Sequence, residues 1–188
     1  MSKDQFYLIA LGANLPSAAG APEVTLRSAL QKMAEAGARN VVASRFFATP
    51  CFPPGAGPDY VNAAASLWFG GGPEALLAVM HRIEADFGRE REQRWGQRVL
   101  DLDLIAAGEA VLPDEAGYRA WLELPLEEQK RQAPDRLILP HPRLQDRPFV
   151  LVPLAEVAPD WRHPVLGRSV AEMVEALPQA ARDEVVPL

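Results

Sequence analysis

Apolar residues come in short blocks, and their spacing changes along the chain. Phe6 to Leu11 is an apolar run ending at Gly-Ala-Asn, the pattern of a buried strand entering a turn. From Pro22 to Ala36 the spacing becomes helical, with Val24, Leu26, Leu30 and Met33 on one side; Pro22 suits a first turn and Gly37 a stop. Val41 to Ala48 predicts a second strand, and the proline- and glycine-rich stretch Thr49 to Asp59 a loop of restricted shape. Tyr60 to Phe69 predicts a third strand, stopped by Gly70-Gly71-Gly72. Pro73 then opens a helix that buries Leu76, Leu77, Met80, Ile83 and Phe87, with Glu84 outside the stripe. Arg89 to Gln97 is a charged loop, and Val99 to Ala106 alternates as a strand. The order strand-helix-strand-strand-helix-strand predicts an α+β fold with a ferredoxin-like core, a mainly antiparallel sheet with helices over one face.

Beyond Gly108 the texture changes. Pro113 to Asp135 is charged, with isolated aromatics, and predicts an insertion that turns helical over 126–132. Leu137 to Leu139 is a short strand candidate, Pro140-His141-Pro142 a turn, and Phe149 to Glu156 and Ser169 to Leu177 are helical pieces. A length of 188 residues fits one domain, 1–188.

Composition removes several function classes. A net charge of -6 argues against general nucleic-acid binding, which needs many cations to neutralise phosphates. The single cysteine, Cys51, cannot form an internal disulfide and reads as a small apolar residue in its loop. The first apolar run is too short for a signal peptide or a membrane span, so a cytoplasmic location is expected. No Walker-type loop, G-x-S-x-G or zinc-ligand spacing occurs.

The candidate chemistry lies in Val99 to Ala106. Residues two apart on a strand share a face, so Asp101 and Asp103 project together and away from Leu100, Leu102 and Leu104. Two carboxylates that close repel unless a cation lies between them, and magnesium is commonly held by one or two carboxylates plus phosphate oxygens. A lone D-x-D is more often a solvated strand face, because so short a pattern is common. What changes the reading is the run of Arg89, Arg91, Arg94 and Arg98 just upstream, whose guanidinium forks suit phosphate oxygens. Together they form the equipment of phosphoryl transfer. His141, held between two prolines, stands in a second polar cluster with Arg143 and Arg147.

The segment R-W-G-Q-R-V-L-D-L-D-L-I, Arg94 to Ile105, resembles the signature of the 6-hydroxymethyl-7,8-dihydropterin pyrophosphokinases (HPPK) of the folate pathway. Collinear matches support it: I-A-L-G-A-N-L, A-T-P, P-D-Y-V-N-A-A, R-I-E followed by G-R-E-R, L-P-H-P-R and R-P-F-V-L-V-P-L. They span most of the chain outside 113–135. The resemblance implies transfer of pyrophosphate from ATP to the pterin hydroxymethyl oxygen, releasing AMP. It implies Asp101 and Asp103 as ligands of two Mg2+ ions, and Arg89 and Arg98 as catalytic arginines closing over the phosphates. It places the pterin ring between Tyr60 and Phe149, with Gly12, Thr49, Pro50, Phe52 and Asn62 around it. The nucleotide falls to Glu84, Arg91, Trp95, Arg98, Arg136, His141 and Arg147. This chain departs from the pattern at His81, where a Gln that touches the nucleotide is expected, and at Pro142, where an aromatic often follows the histidine. The expected partners are the two small substrates, with no nucleic acid, no membrane and a monomeric chain. The competing readings are a metal-dependent phosphohydrolase and a non-catalytic nucleotide- or RNA-binding module of the same fold.

Overall fold

The first apolar run becomes β1 (Gln5–Ala13); it outlasts the run because Gly12 and Ala13 still pair with their neighbours. The protein is described by a computed structural model that covers residues 4–51, 57–88, 98–132 and 134–188. α1 (Pro22–Glu35) starts at its proline and stops before Gly37, whose φ of 104° few residues with a Cβ adopt. It buries Thr25, Leu26, Ala29 and Met33 but leaves Val24 exposed, contrary to the spacing argument.

The single strand expected over 41–48 is two pieces, β2 (Arg39–Ala43) and β3 (Phe47–Thr49). Both pair antiparallel with β4 (Tyr60–Phe69), and the register slips between them: Ala43 faces Ala65, whereas Phe47 faces Asn62. Ser44 heals the gap, since its N–H donates to the Ala64 carbonyl and its hydroxyl accepts from the Ala64 N–H. α2 (Pro73–Asp86) and β5 (Asp101–Ala107) follow. The sheet runs β5-β1-β4, with β2 and β3 end to end along the outer edge of β4. Counting β2 and β3 as one interrupted strand, this is the ferredoxin-like order of an α+β fold.

The segment after β5 leaves the sheet and returns at one point, because Leu112 and Leu139 exchange backbone hydrogen bonds of 2.8 and 3.3 Å. That isolated bridge is all that forms of the strand expected at 137–139. Between its ends lie α3 (Glu115–Leu122), capped by the Asp114 carboxylate, and α4 (Leu126–Arg131). Tyr118 of α3 is buried, and its hydroxyl lies 2.8 Å from Nε2 of the equally buried His163.

The helices cover both faces of the sheet, not one as expected. On the first face Ile9, Leu11, Ala65, Leu102 and Leu104 pack against α1 and α2 through Leu26, Met33, Leu76 and Met80. On the second, Leu8, Ala10, Ala64 and Ile105 pack against α5 (Pro148–Val157) and α6 (Val170–Ala176). A bulge helps: Leu8 faces Ala106 and Ile9 faces Leu104, so the extra residue Ile105 joins Ala106 in the second cluster. α7 (Gln179–Asp183) and β6 (Val186–Pro187), which pairs with β3, had no counterpart in the sequence reading. Toward the Gly12 end of the strands, this second face exchanges aliphatic for polar residues.

Candidate active site

That polar end is organised by strand register. Asp101 on β5 stands opposite Gly12 on β1, Gly12 opposite Asn62 on β4, and Asn62 opposite Phe47 on β3. Two positions along, Asp103 shares the face of Asp101 and stands opposite Ala10. In the other direction Tyr60 shares the face of Asn62 and pairs with Thr49. The chain thus brings both carboxylates and the Tyr60, Asn62 and Thr49 group onto one continuous surface across four strands.

Gly12 is required at the centre of this row. A Cβ there would meet Oδ1 of Asn62 at 3.0 Å, tighter than nearly all such contacts. Asn62 has little room to retreat, being buried with its amide donating to the Thr49 hydroxyl at 2.7 Å. The close approach of β1 aims the Asn62 side chain along the surface and leaves Oδ1 as an acceptor.

Each aspartate faces an arginine. Arg98 Nη1 lies 2.5 Å from Asp101 Oδ2, and Arg147 Nη1 lies 3.2 Å from Asp103 Oδ2. Burial works against the Arg98 charge, but the charge and hydrogen bond of Asp101, with Asp103 behind it, outweigh burial and raise its pKa. Tyr60 is half-buried beside them; burial raises its phenol pKa, while the Arg98 charge pulls the other way. Arg147 reaches the site because it is the N-cap residue of α5, and its guanidinium carbon lies 5.9 Å over the Phe149 ring. Phe149, in the first turn of α5, is 39% exposed, unusual for so large an apolar side chain at the edge of a core.

His141 is fixed by its own turn. Its N–H donates to the Ile105 carbonyl at 2.8 Å, and its Nδ1 accepts from the Arg143 N–H at 3.1 Å. Burial, then the charges of Arg147 and Arg143, push its pKa down to about 3. The imidazole is therefore neutral at physiological pH, and with Nδ1 accepting, the proton lies on Nε2 as a donor.

The other expected residues differ in their placement. Glu84 is buried at 1% exposure, within the stripe and not outside it as expected, on the same face of α2 as Met80 and Leu76, and its Oε1 accepts from the Leu102 N–H at 2.8 Å. Arg136 is exposed, and no ion pair or hydrogen bond joins it to the cluster among the described residues. Thr49 is buried, Pro50 is exposed, and His81 lies half-buried on α2. Arg89, Arg91, Arg94, Trp95 and Phe52 lie outside the described residues.

One residue was missed. Asn14, read only as a turn former, is buried and holds the base of Arg98: its Oδ1 accepts from the Arg98 N–H at 2.7 Å, and its own N–H donates to the Arg98 carbonyl at 2.9 Å. Its Nδ2 donates to the Pro58 carbonyl at 3.1 Å. The only warning in the sequence was an Asn directly after a strand, which is also what a turn requires.

Among the described residues no group of three or more metal-ligating side chains converges. The donor set is two carboxylates on one strand face, facing guanidinium groups. That fits a hard cation sharing its remaining positions with phosphate oxygens and water, and does not fit an all-protein metal cage.

Comparison with known proteins agrees with this geometry. Residues 8–159 match the family model described as 7,8-dihydro-6-hydroxymethylpterin-pyrophosphokinase (HPPK). A 2-amino-4-hydroxy-6-hydroxymethyldihydropteridine pyrophosphokinase of Pseudomonas aeruginosa is 35% identical over 93% of this chain and 93% of its own. The protein of that name from Synechocystis is 41% identical over 69% of this chain, which spans only 56% of that relative. Among solved structures, wild-type HPPK-DHPS of Plasmodium falciparum superposes with a TM-score of 0.61 at 13% identity, covering 93% of this chain and 45% of that one; this likeness shows the fold. With most of its length inside the family match, the chain belongs to the 7,8-dihydro-6-hydroxymethylpterin-pyrophosphokinase (HPPK) family.

Proposed function

We propose that this chain transfers pyrophosphate from ATP to 6-hydroxymethyl-7,8-dihydropterin, giving AMP and the pterin pyrophosphate. The observation that carries the reading is the row Asp101, Gly12, Asn62: register sets a carboxylate beside a buried amide across one glycine, which supports a phosphate-and-cation site next to a site for a flat, amide-edged ring. The hydroxymethyl oxygen attacks the β-phosphorus, the bond from that phosphorus to the α,β-bridging oxygen breaks, and AMP leaves with that oxygen. The hydroxyl proton is released.

The residues divide this work. Tyr60 and Phe149 stack on the two faces of the pterin. Asn62, Thr49 and the backbone at Pro50 and Phe52 bond its edge, and Gly12 admits the ring close to β1. Asp101 and Asp103 hold Mg2+, two ions in this proposal, which supplies neutralisation of the phosphate charge and acidifies the attacking hydroxyl. Arg98 and Arg147 exchange their carboxylate partners for phosphate oxygens as the nucleotide enters, and His141 donates Nε2–H to another. Arg89, Arg91, Trp95 and Arg136 complete the nucleotide side in this proposal. Such preorganised donors act mainly by stabilising charge as it develops in the transition state.

The active unit in this reading is a cytoplasmic monomer of one domain, 1–188, with 113–135 as an insertion, working on small molecules without nucleic acid. The acidic balance supports the last point, and among the described residues no helix is long and apolar enough to cross a membrane. The test is acceptor dependence: ATP consumption with Mg2+ should require the hydroxymethyl-dihydropterin. Equal consumption without it would point to a phosphohydrolase instead.

A further inference from the structure

Between the two site aspartates lies one peptide whose N–H leaves the sheet. Among the described residues, β5 is an edge strand whose one partner is β1. In an antiparallel ladder, successive N–H groups point alternately toward and away from the partner strand. The Leu102 N–H is one that points away, and it donates to Glu84 Oε1 at 2.8 Å. Asp101 and Asp103 are thereby held from β1 on one side, while the residue between them is held from α2 on the other.

Glu84 itself is costly to place. A carboxyl group at 1% exposure loses its hydration and needs compensating hydrogen bonds. A plain edge strand needs no such partner, since water can satisfy an outward N–H. This edge differs because α2 packs against it and Leu102 is buried, so its outward N–H needs an acceptor from the protein. The peptide held in this way is the one that joins the two aspartates. Glu84 is also close to the end of α2, so the contact ties the last turn of that helix to the start of β5.

We infer that Glu84 is a positioning residue for the metal site: its carboxylate clamps the Leu102 peptide so that Asp101 and Asp103 meet the cation at a fixed spacing. Glu84 contacts neither nucleotide nor metal in this role. The inference rests on the proposed metal role of the two aspartates.

The test uses the full chain and a non-hydrolysable ATP analogue titrated at varied Mg2+, with amide exchange at Leu102 followed in parallel. Glu84→Met keeps the volume and removes the acceptor. It should raise the Mg2+ needed for half-maximal analogue binding about tenfold, as loss of an outer-shell partner does, and speed Leu102 exchange while Ile9 stays protected. Glu84→Gln keeps a neutral acceptor, roughly half as strong as a charged one, and should fall between Glu84→Met and the unaltered chain in both readouts. Asp101→Asn is the reference. If it abolishes the Mg2+ response while Glu84→Met leaves it intact, the positioning role is overturned. If Asp101→Asn also changes nothing, the metal reading itself fails. Should Glu84→Met not fold, Glu84→Gln decides alone, and its equality with the unaltered chain in both readouts overturns the inference.

Discussion

At the scale of single residues, Asp101 and Asp103 are each matched to an arginine that can serve a phosphate equally well. The arrangement keeps two close carboxylates compatible with each other until a cation and the nucleotide arrive. Replacing either with Asn keeps the shape and removes the charge. We expect Asp101→Asn or Asp103→Asn to lower kcat on the order of a hundredfold or more, with the thermal midpoint little changed. Steady-state rates at saturating Mg2+ check this, and a near-normal rate would refute the role. The shared face of this pair was legible in the sequence, because strand parity needs only the period of two. The burial of Glu84 was misread, and the part played by Asn14 was not legible. Glu84 follows Met80 by four residues and Leu76 by eight, so helical spacing places it on the buried face with them, where its carboxyl group meets the edge of β5. Asn14 looks like any turn residue until Arg98 is folded against it.

At the scale of elements, the three central strands β1, β4 and β5 were readable and the cover on their second face was not. Tyr60 to Phe69 formed as expected, whereas the 41–48 strand broke at Ser44 because a side-chain hydroxyl could replace a backbone partner. The unbroken run Tyr7 to Leu11 carried a stronger message than a half-buried strand. When both parities are apolar both faces are covered, and α5 supplies the second cover. The 113–135 segment, proposed as an insertion, is pinned at its Leu112–Leu139 neck and again where Tyr118 meets His163. His163 Nδ1 accepts from the Val165 and Leu166 N–H groups, so its Nε2 carries the proton and donates to the Tyr118 oxygen. Tyr118→Phe leaves that buried N–H without an acceptor and should cost about 1–3 kcal/mol. For a chain of this size that is a fall in Tm of roughly 2–12 °C, measurable by calorimetry. Unchanged Tm would mean the segment is held by its apolar contacts alone.

At the scale of the whole molecule, acid should unfold the protein through its histidines before its carboxylates. Burial holds His163 at about 4, and burial with two arginines holds His141 at about 3, both below the ordinary 6.5. As pH falls from 6.5 toward 4, the unfolded chain takes up protons that the folded chain refuses, so stability declines. Glu156 and Glu172 have lowered values and add their loss only below about 4.5. Denaturant midpoints should drop steadily between pH 6.5 and 4.5, and His163→Gln should flatten the slope; a pH-independent midpoint over that window would contradict the assignment.

The central claim is that the polar end of one sheet face joins a phosphate site to a pterin site for pyrophosphate transfer. Its most direct measurement is the fate of label from γ-labelled ATP incubated with Mg2+, the hydroxymethyl-dihydropterin and the purified chain. The account predicts AMP as the nucleotide product and the label in a pterin pyrophosphate. ADP with a pterin monophosphate, or label released as free phosphate, would contradict it.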